Sequence, residues 1–434
     1  MRIGISTIYC LFFFFWGLAQ EEGSAPSRYT KRVLETAEVD FLSSYYGQQG
    51  DHAAVTGGLG TEELTDVTGS IVVSIPLNDD DVLTIDAGVS AYTSASSSNV
   101  NPFDGQGADA FVASSGASAN DVYTHFNAVY AHSSQDRNTV WTAHISGAKE
   151  YDYASMGFGG VFVRRFNEKN TELSLTARVF LDRWDAIYPI ELRPFGTGGV
   201  GSFRASEITG NPNYDPDFTA FRNTKRNSYT LGMGLSQILH KKVLSSLSLD
   251  LVQQQGLLST PFQRVYFADV ADAFVDGFHL ADDVERLPDR RFKVAAGGRL
   301  HWFVNEWATL RTFYRFYWDN WGLTAHTAQL EMPIKIGGRF TLYPSYRFYA
   351  QTAADYFAGY DQHLSTAAFH TSDFDLSRYL AHQWGMGVGY TDIFTGGRLW
   401  KFGLKNIDLK FYKYDRDIAF SSYIVTTGFT FLLD

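Results

Sequence analysis

The stretch Trp307–Trp318 reads WATLRTFYRFYW, and its alternation decides the fold. Ala308, Leu310, Thr312, Tyr314, Phe316 and Trp318 share one face of an extended strand, and Thr309, Arg311, Phe313, Arg315 and Tyr317 share the other. A helical period would scatter the two arginines, whereas a period of two collects them. The same reading applies to Arg339–Gln351, RFTLYPSYRFYAQ, where Arg339 and Arg347 oppose Phe340, Leu342, Tyr346 and Phe348. ELSLTARVFLD sets Leu173, Leu175, Ala177, Val179 and Leu181 against Glu172, Arg178 and Asp182. In VLTIDAGVSAY, Leu83, Ile85 and Val89 oppose Asp86, Ser90 and Tyr92.

Working outward from these stretches, candidate strands fall at 37–47, 66–77, 82–93, 122–133, 138–150, 157–166, 171–183, 228–239, 242–254, 291–303, 307–318, 323–335, 338–351, 378–391, 407–416 and 419–433. A tilted strand needs about 9–11 residues to cross a bilayer, and a soluble sandwich seldom repeats that length so often. Tight polar turns such as NDDD (78–81), SSQDR (133–137) and NEKN (167–170) alternate with long connections at 94–121, 184–227, 255–290 and 352–377. Connections 151–156 and 319–322 are short, and 392–406 is long, against that rule. Short turns at one end and longer loops at the other mark an outer-membrane barrel. The expectation is an all-β, antiparallel, up-and-down transmembrane barrel of about sixteen strands (range about 14–18), with both termini on the periplasmic side.

Composition agrees. The 434 residues include 39 Gly, 35 Phe and 25 Tyr but only 11 Pro. A mean hydropathy of −0.17 suits strands that are apolar on one face only. The net charge of −11 argues against a nucleic-acid partner. At the start, a short basic segment, the apolar run IGISTIYCLFFFFWGLA and small residues around Leu18 predict a signal peptide over 1–19. A short periplasmic segment, 20–36, and a barrel over 37–434 follow, leaving no room for a plug domain ahead of strand one. Cys10 is the only cysteine and lies in the leader. Cleavage there leaves a mature chain without disulfide, thiolate metal site or covalent haem, and the sequence indicates no cofactor. The chain ends in TTGFTFLLD, where Thr426, Gly428, Phe431 and Leu433 fit a membrane-insertion signal read by the barrel-assembly machinery.

Over residues 39–377 the sequence resembles a family of uncharacterised outer-membrane proteins of about 400 residues from Gram-negative bacteria. The stretches that carry the likeness include VDFLSSYYGQQGDHAAVTGGLGTEEL (39–64), QQGLLSTPFQRVYF (254–267), LPDRRFKV (287–294), LRTFYRFYWDNWG (310–322) and YPSYRFYAQTAADYF (343–357). The resemblance implies a barrel set among outer-membrane lipids and no established activity. It also hints at envelope redox or metal traffic with a periplasmic lipoprotein or redox partner.

The functional candidates are lumen charges. Lys293, Arg299, Arg311, Arg315, Arg339 and Arg347 form an expected basic wall, with Lys335 beside it; Asp86, Glu172, Asp182, Asp250 and Glu331 supply acidic groups, and Arg178 adds a cation. Such a wall focuses anionic or zwitterionic solutes. The plain alternative is a narrow or plugged barrel in which these charges pair. Asp51, His52, Glu62 and Glu63 in the first loop are metal-ligand types, but their spacing matches no standard site. His125 and His144, near Asn127 and Ser146, raise a hydrolase reading that lacks a positioned third member. Loop 255–290 is too apolar to float free and is expected to fold inward or pack on the rim. Trp302, Phe303 and Trp307 at one end, and Trp318 and Trp321 at the other, are expected to form interfacial girdles. GTGGVGS (196–202) lacks the Lys-Ser/Thr pair of a phosphate loop. The readings carried forward are a porin- or transporter-like barrel that passes or docks a small polar ligand or peptide, a non-enzymatic envelope scaffold, and a membrane hydrolase.

Overall fold

The computed structural model describes residues 32–93, 120–193, 208–216, 218–392 and 396–433. The expected signal peptide, most of loop 94–121 and the GTGGVGS stretch lie outside them. The chain from Val33 onward is described as one unit.

Sixteen long strands form the wall. They are β1 (Ala37–Gly50), β2 (Leu64–Pro76), β3 (Asp81–Thr93), β4 (Asn120–Ser133), β5 (Thr139–Lys149), β6 (Tyr153–Phe166), β7 (Thr171–Trp184) and β8 (Lys225–His240), followed by β9 (Val243–Gly256), β10 (Arg290–Phe303) and β11 (Thr309–Asp319). β12 runs Thr324–Glu331 and resumes as Ile334–Ile336 beyond Pro333; β13 runs Phe340–Leu342 and Ser345–Gln351 around Pro344. Each proline removes a ladder donor, which explains the paired interruptions at one level of the wall. β14 (Tyr379–Thr391), β15 (Phe402–Arg416) and β16 (Phe420–Leu433) complete the set.

Every strand pairs antiparallel with its neighbour in sequence, and β16 pairs with β1 from Ala37↔Leu433 to Gly50↔Phe420. That last ladder closes the sheet and leaves the wall without an edge. It is also why the chain ends on an apolar strand. Outward Phe431 packs edge-on against Phe41 at 5.9 Å and Phe402 at 6.3 Å.

The ladders fix which residues face outward. Directly opposed residues share a face, so Leu173↔Leu235, Leu175↔Met233 and Ala177↔Leu231 belong to one surface. Leu175, Leu231, Met233, Phe162, Ile145 and Trp384 are all exposed there. An apolar belt around the whole wall far exceeds the few hundred Å² of patch that a soluble monomer tolerates. Lipid is the solvent that suits it. Trp302 and Trp307 are exposed near the terminal end and Trp318 near the other, as an interfacial girdle requires. Trp321 departs from that expectation. It is buried, donates its indole N–H to the Arg290 carbonyl at 3.0 Å and lies beneath the Arg291 guanidinium.

The long connections emerge at the end opposite the termini, except 392–401, which lies at the terminal end. The hairpin Tyr153–Trp184 turns at Asn167–Lys169 at the terminal end, and β5 reaches β6 through a tight turn at the loop end. The long 392–406 connection is partly a hairpin, because Arg398–Leu399 pairs with Phe402–Gly403 and prolongs β15.

Candidate functional site

Two regions hold the polar chemistry: a lid over the loop end and the charged lumen beneath it. The lid is built from four connections, β1–β2, β7–β8, β9–β10 and β13–β14. β1 and β9 stand eight strands apart in a ring of sixteen, so their loops can meet only by spanning the mouth. They do meet. The Gly57 backbone lies against the Tyr266 ring and the Arg264 carbonyl, and Gly58 lies against Phe374 and the Ser372 carbonyl. Both glycines have positive φ, +76° and +92°, so a side chain at either position would be strained as well as crowded.

The lid has its own core. Leu192, Tyr266, Ala281 and Val284 are buried together against Tyr188, Phe218, Phe221 and Tyr360. A second cluster holds Ala273, Val275 and Leu280. Short ladders organise it, with Arg264–Val265 pairing Asp283–Val284, and Ala273–Val275 pairing both Phe278–His279 and Thr209–Gly210. Loop 255–290 therefore packs across the mouth, in line with its apolar sequence.

Buried charge pins the lid. Arg264 and Glu191, both without solvent exposure, form a two-pronged pair with Nε–Oε1 at 2.6 Å and Nη2–Oε2 at 3.1 Å. Arg286 holds Asp283 at 2.6 Å and donates to the Thr219 carbonyl, so it links β7–β8 to β9–β10. Glu285 is buried and accepts from the Thr371 hydroxyl and the Thr260 amide, both at 2.6 Å. Burial, reinforced by nearby Asp373, pushes the Glu285 carboxyl up to about 8. Burial likewise raises Asp373 to about 6, with Asp375 adding to the effect. Arg416 at the top of β15 reaches Asp375 at 2.6 Å and lies over the Tyr379 and Phe420 rings, tying the lid to the wall.

The lumen charges divide by strand. Asp40, Asp66 and Asp86 on β1–β3 share the inward face, as the ladders Asp40↔Val72 and Val72↔Asp86 show for two of them. Thr430 donates to Asp40 at 2.5 Å, Ser90 and Thr68 donate to Asp66, and Asn127 donates to Asp86 at 2.8 Å. Among the described residues no lysine or arginine pairs with these three. His125 alone approaches Asp86, at 3.4 Å. Arg299 and Arg315 stand on β10 and β11, seven or eight strands from β2 and β3, and Arg347 stands on β13, four to six strands from β1–β3. They are exposed to the lumen, and none forms an ion pair among the described residues. Arg311 differs, because Glu331 holds it at 2.8 Å. Glu172 is taken by Arg165 at 2.8 Å, and Asp182 lies 3.4 Å from Arg226. Lys293 sits beside Arg291, which pairs with Asp319 at 2.5 Å under the lid. Asp250 lines the wall on β9 opposite Gly232 and Ala295. Arg339 occupies the turn before Phe340 at the terminal rim, with Lys335 on the neighbouring short segment. Arg178 faces the lumen opposite Gly159.

The other candidates do not assemble. The His52 ring stacks on Phe374 at 3.8 Å, and its Nδ1 contacts the Gly58 carbonyl. Glu62 accepts from the His52 amide. Asp51, His52 and Glu62 make no metal-holding group, and none exists among the described residues. Burial raises the Glu62 carboxyl, as befits a loop anchor. Ser146 lies opposite Asn127 and Gly157, whereas His144 lies opposite Val129 and Gly159, and His144 Nδ1 is buried with no hydrogen-bond partner. No hydroxyl is bonded to His125 or His144 among the described residues. Thr426 and Gly428 face inward, and Phe431 and Leu433 outward, on the closing strand.

Fold and site together define a porin-like β-barrel of the outer membrane. The chain belongs to the family described as "Protein of unknown function (DUF3570)", whose profile matches residues 7–408. No curated protein matches the sequence. Among solved structures, a bacterial polysaccharide outer membrane secretin aligns over 92% of this chain and 99% of its own, at 11% identity and a TM-score of 0.43. The outer membrane protein OpdK from Pseudomonas aeruginosa aligns over 92% and 99%, at 10% identity and 0.37. The siderophore receptor PirA from the same organism aligns over 90% and 57%, at 10% identity and 0.38. Likenesses this distant carry no argument about cargo.

Proposed function

We propose that this barrel is a lidded passage for small polar anionic solutes. The carrying observation is the transverse separation of unpaired lumen charge. Among the described residues Asp40, Asp66 and Asp86 on β1–β3 have only neutral or histidine partners, although Glu38 on β1 pairs with Lys405, while Arg299, Arg315 and Arg347 have no anion. A wall built only for stability would bring such charges together, because an unpaired ion in a confined space loses solvation. Kept apart, they set a field across the lumen that orients a polar solute and draws its negative end to the basic arc. In this reading the lid is the gate, and the barrel transports rather than catalyses. The test is planar-bilayer conductance of the refolded barrel. Discrete steps with anion preference, shifting toward cations in Arg315→Glu, are expected. Cation preference in the wild type would refute the assignment of the basic arc.

A further inference from the structure

The lumen arginines fall into two sets, and the difference points to a bound ligand. Arg165, Arg226, Arg291 and Arg311 are each held by a carboxylate. Among the described residues Arg299, Arg315, Arg347 and Arg178 are not; Arg178 stands apart on β7, whereas the ladders bring the other three to one place. Arg299↔Phe313, Phe313↔Gln329 and Gln329↔Arg347 form a continuous row across β10–β13. Three interstrand spacings put the two end Cα atoms roughly 14 Å apart. Arg315 shares the face of β11 with Phe313, one side-chain step along, or about 7 Å. Its cross-strand neighbours are the small residues Gly297 and Thr327, and Arg315 itself is exposed. At Gly297 an added Cβ would meet Ser248 Oγ at 3.0 Å and the Phe313 ring at 3.5 Å. The Arg299 guanidinium lies over Phe313 at 5.2 Å from the centroid and so leans into the row.

We propose that Arg299, Arg315 and Arg347, with Phe313 and Gln329 between them, form a cradle for a small organic acid carrying two or more carboxylates. The inference rests on the lumen reading above. Three guanidinium forks without internal anions outnumber what one carboxylate can engage, and each fork suits bidentate pairing with a carboxylate. Gln329 adds amide donors at the centre. Nearby carboxylates do not compete. Glu331 is engaged by Arg311, and Asp250 lies four residues beyond Ser246, the partner of Arg299, or about 13 Å along β9.

Calorimetric titration of the detergent-folded full chain at low ionic strength, with succinate and butyrate as probes, tests this. The two share a four-carbon body and differ in charge. Succinate is expected to bind at least tenfold more tightly than butyrate. The double variant Arg315→Gln/Arg347→Gln should weaken succinate binding at least tenfold, while Arg165→Gln leaves it within twofold. Equal binding of the two acids, no succinate binding, or an equal loss in Arg165→Gln would overturn the cradle. Folding of each variant is checked by heat-modifiable gel mobility, and if the double variant misfolds, the wild-type comparison of the two acids still decides. Because the titration needs no transport, succinate binding with a silent bilayer would refute passage and leave the cradle standing. Anion-selective conductance without succinate binding would do the reverse.

Discussion

Among the described residues Glu285 carries the most strongly raised carboxyl of the lid, and Asp373 and Asp282, raised by burial to about 6, add to the same response to pH. The Glu285 carboxyl is raised to about 8 by burial and by Asp373, so the closed lid holds its proton more tightly than an open lid would. The closed form is therefore fully stabilised below the ordinary glutamate range. It loses stability as pH climbs from there through about 8. The full effect is on the order of 5 kcal/mol, since each pKa unit is worth about 1.4 kcal/mol. Hydrogen exchange of residues 257–289 should be slower at pH 5.5 than at pH 9, and Glu285→Gln should reduce that difference. An unchanged pH dependence in the variant would assign the response elsewhere. Arg264 gives a second handle. Arg264→Ala leaves Glu191 buried and uncompensated, at a cost of about 3–5 kcal/mol. The expected outcome is rapid proteolysis in 257–289 with the barrel still heat-modifiable on gels. None of this was legible in the sequence. Arg264 and Glu191 are 73 positions apart, and no periodicity links them. The same holds for Trp321, which alternation assigned to a girdle and the lid buries.

At the scale of the strand, legibility is high. Alternation located all sixteen wall strands to within a few residues, because lipid on one side and lumen on the other impose a period of two over the whole length. β12 and β13 show the limit. Their prolines break the ladder at Pro333 and Pro344, a detail that alternation passes over. The two faces of β8 predict opposite tolerances. Leu231→Arg places a charge on the lipid face and should cost about 2–4 kcal/mol if it lies near the bilayer midplane. Thr230→Lys, on the lumen face one residue away, should assemble normally. Urea titration of refolded barrels in lipid vesicles measures both, and equal destabilisation would contradict the assigned register.

Considered as a whole molecule, the barrel joins a wall fixed by its solvent to a mouth closed by tertiary contacts from four loops. Alternation assigned Asp86, Arg299, Arg315 and Arg347 to one face of their strands, whereas it did not single out Asp40 or Asp66, and Arg339 lies in a turn at the rim. The division of the lumen charges into paired and unpaired sets was not legible, because it depends on which strands the closed ring makes opposite. The central claim is that the unpaired arginines confront unpaired carboxylates across a passage. Single-channel recording of the wild type and of Arg315→Glu under a salt gradient tests it most directly. The account predicts anion-selective steps in the wild type and a reversal potential shifted toward cation selectivity in the variant. Wild-type steps whose reversal potential does not move in the folded variant would contradict it.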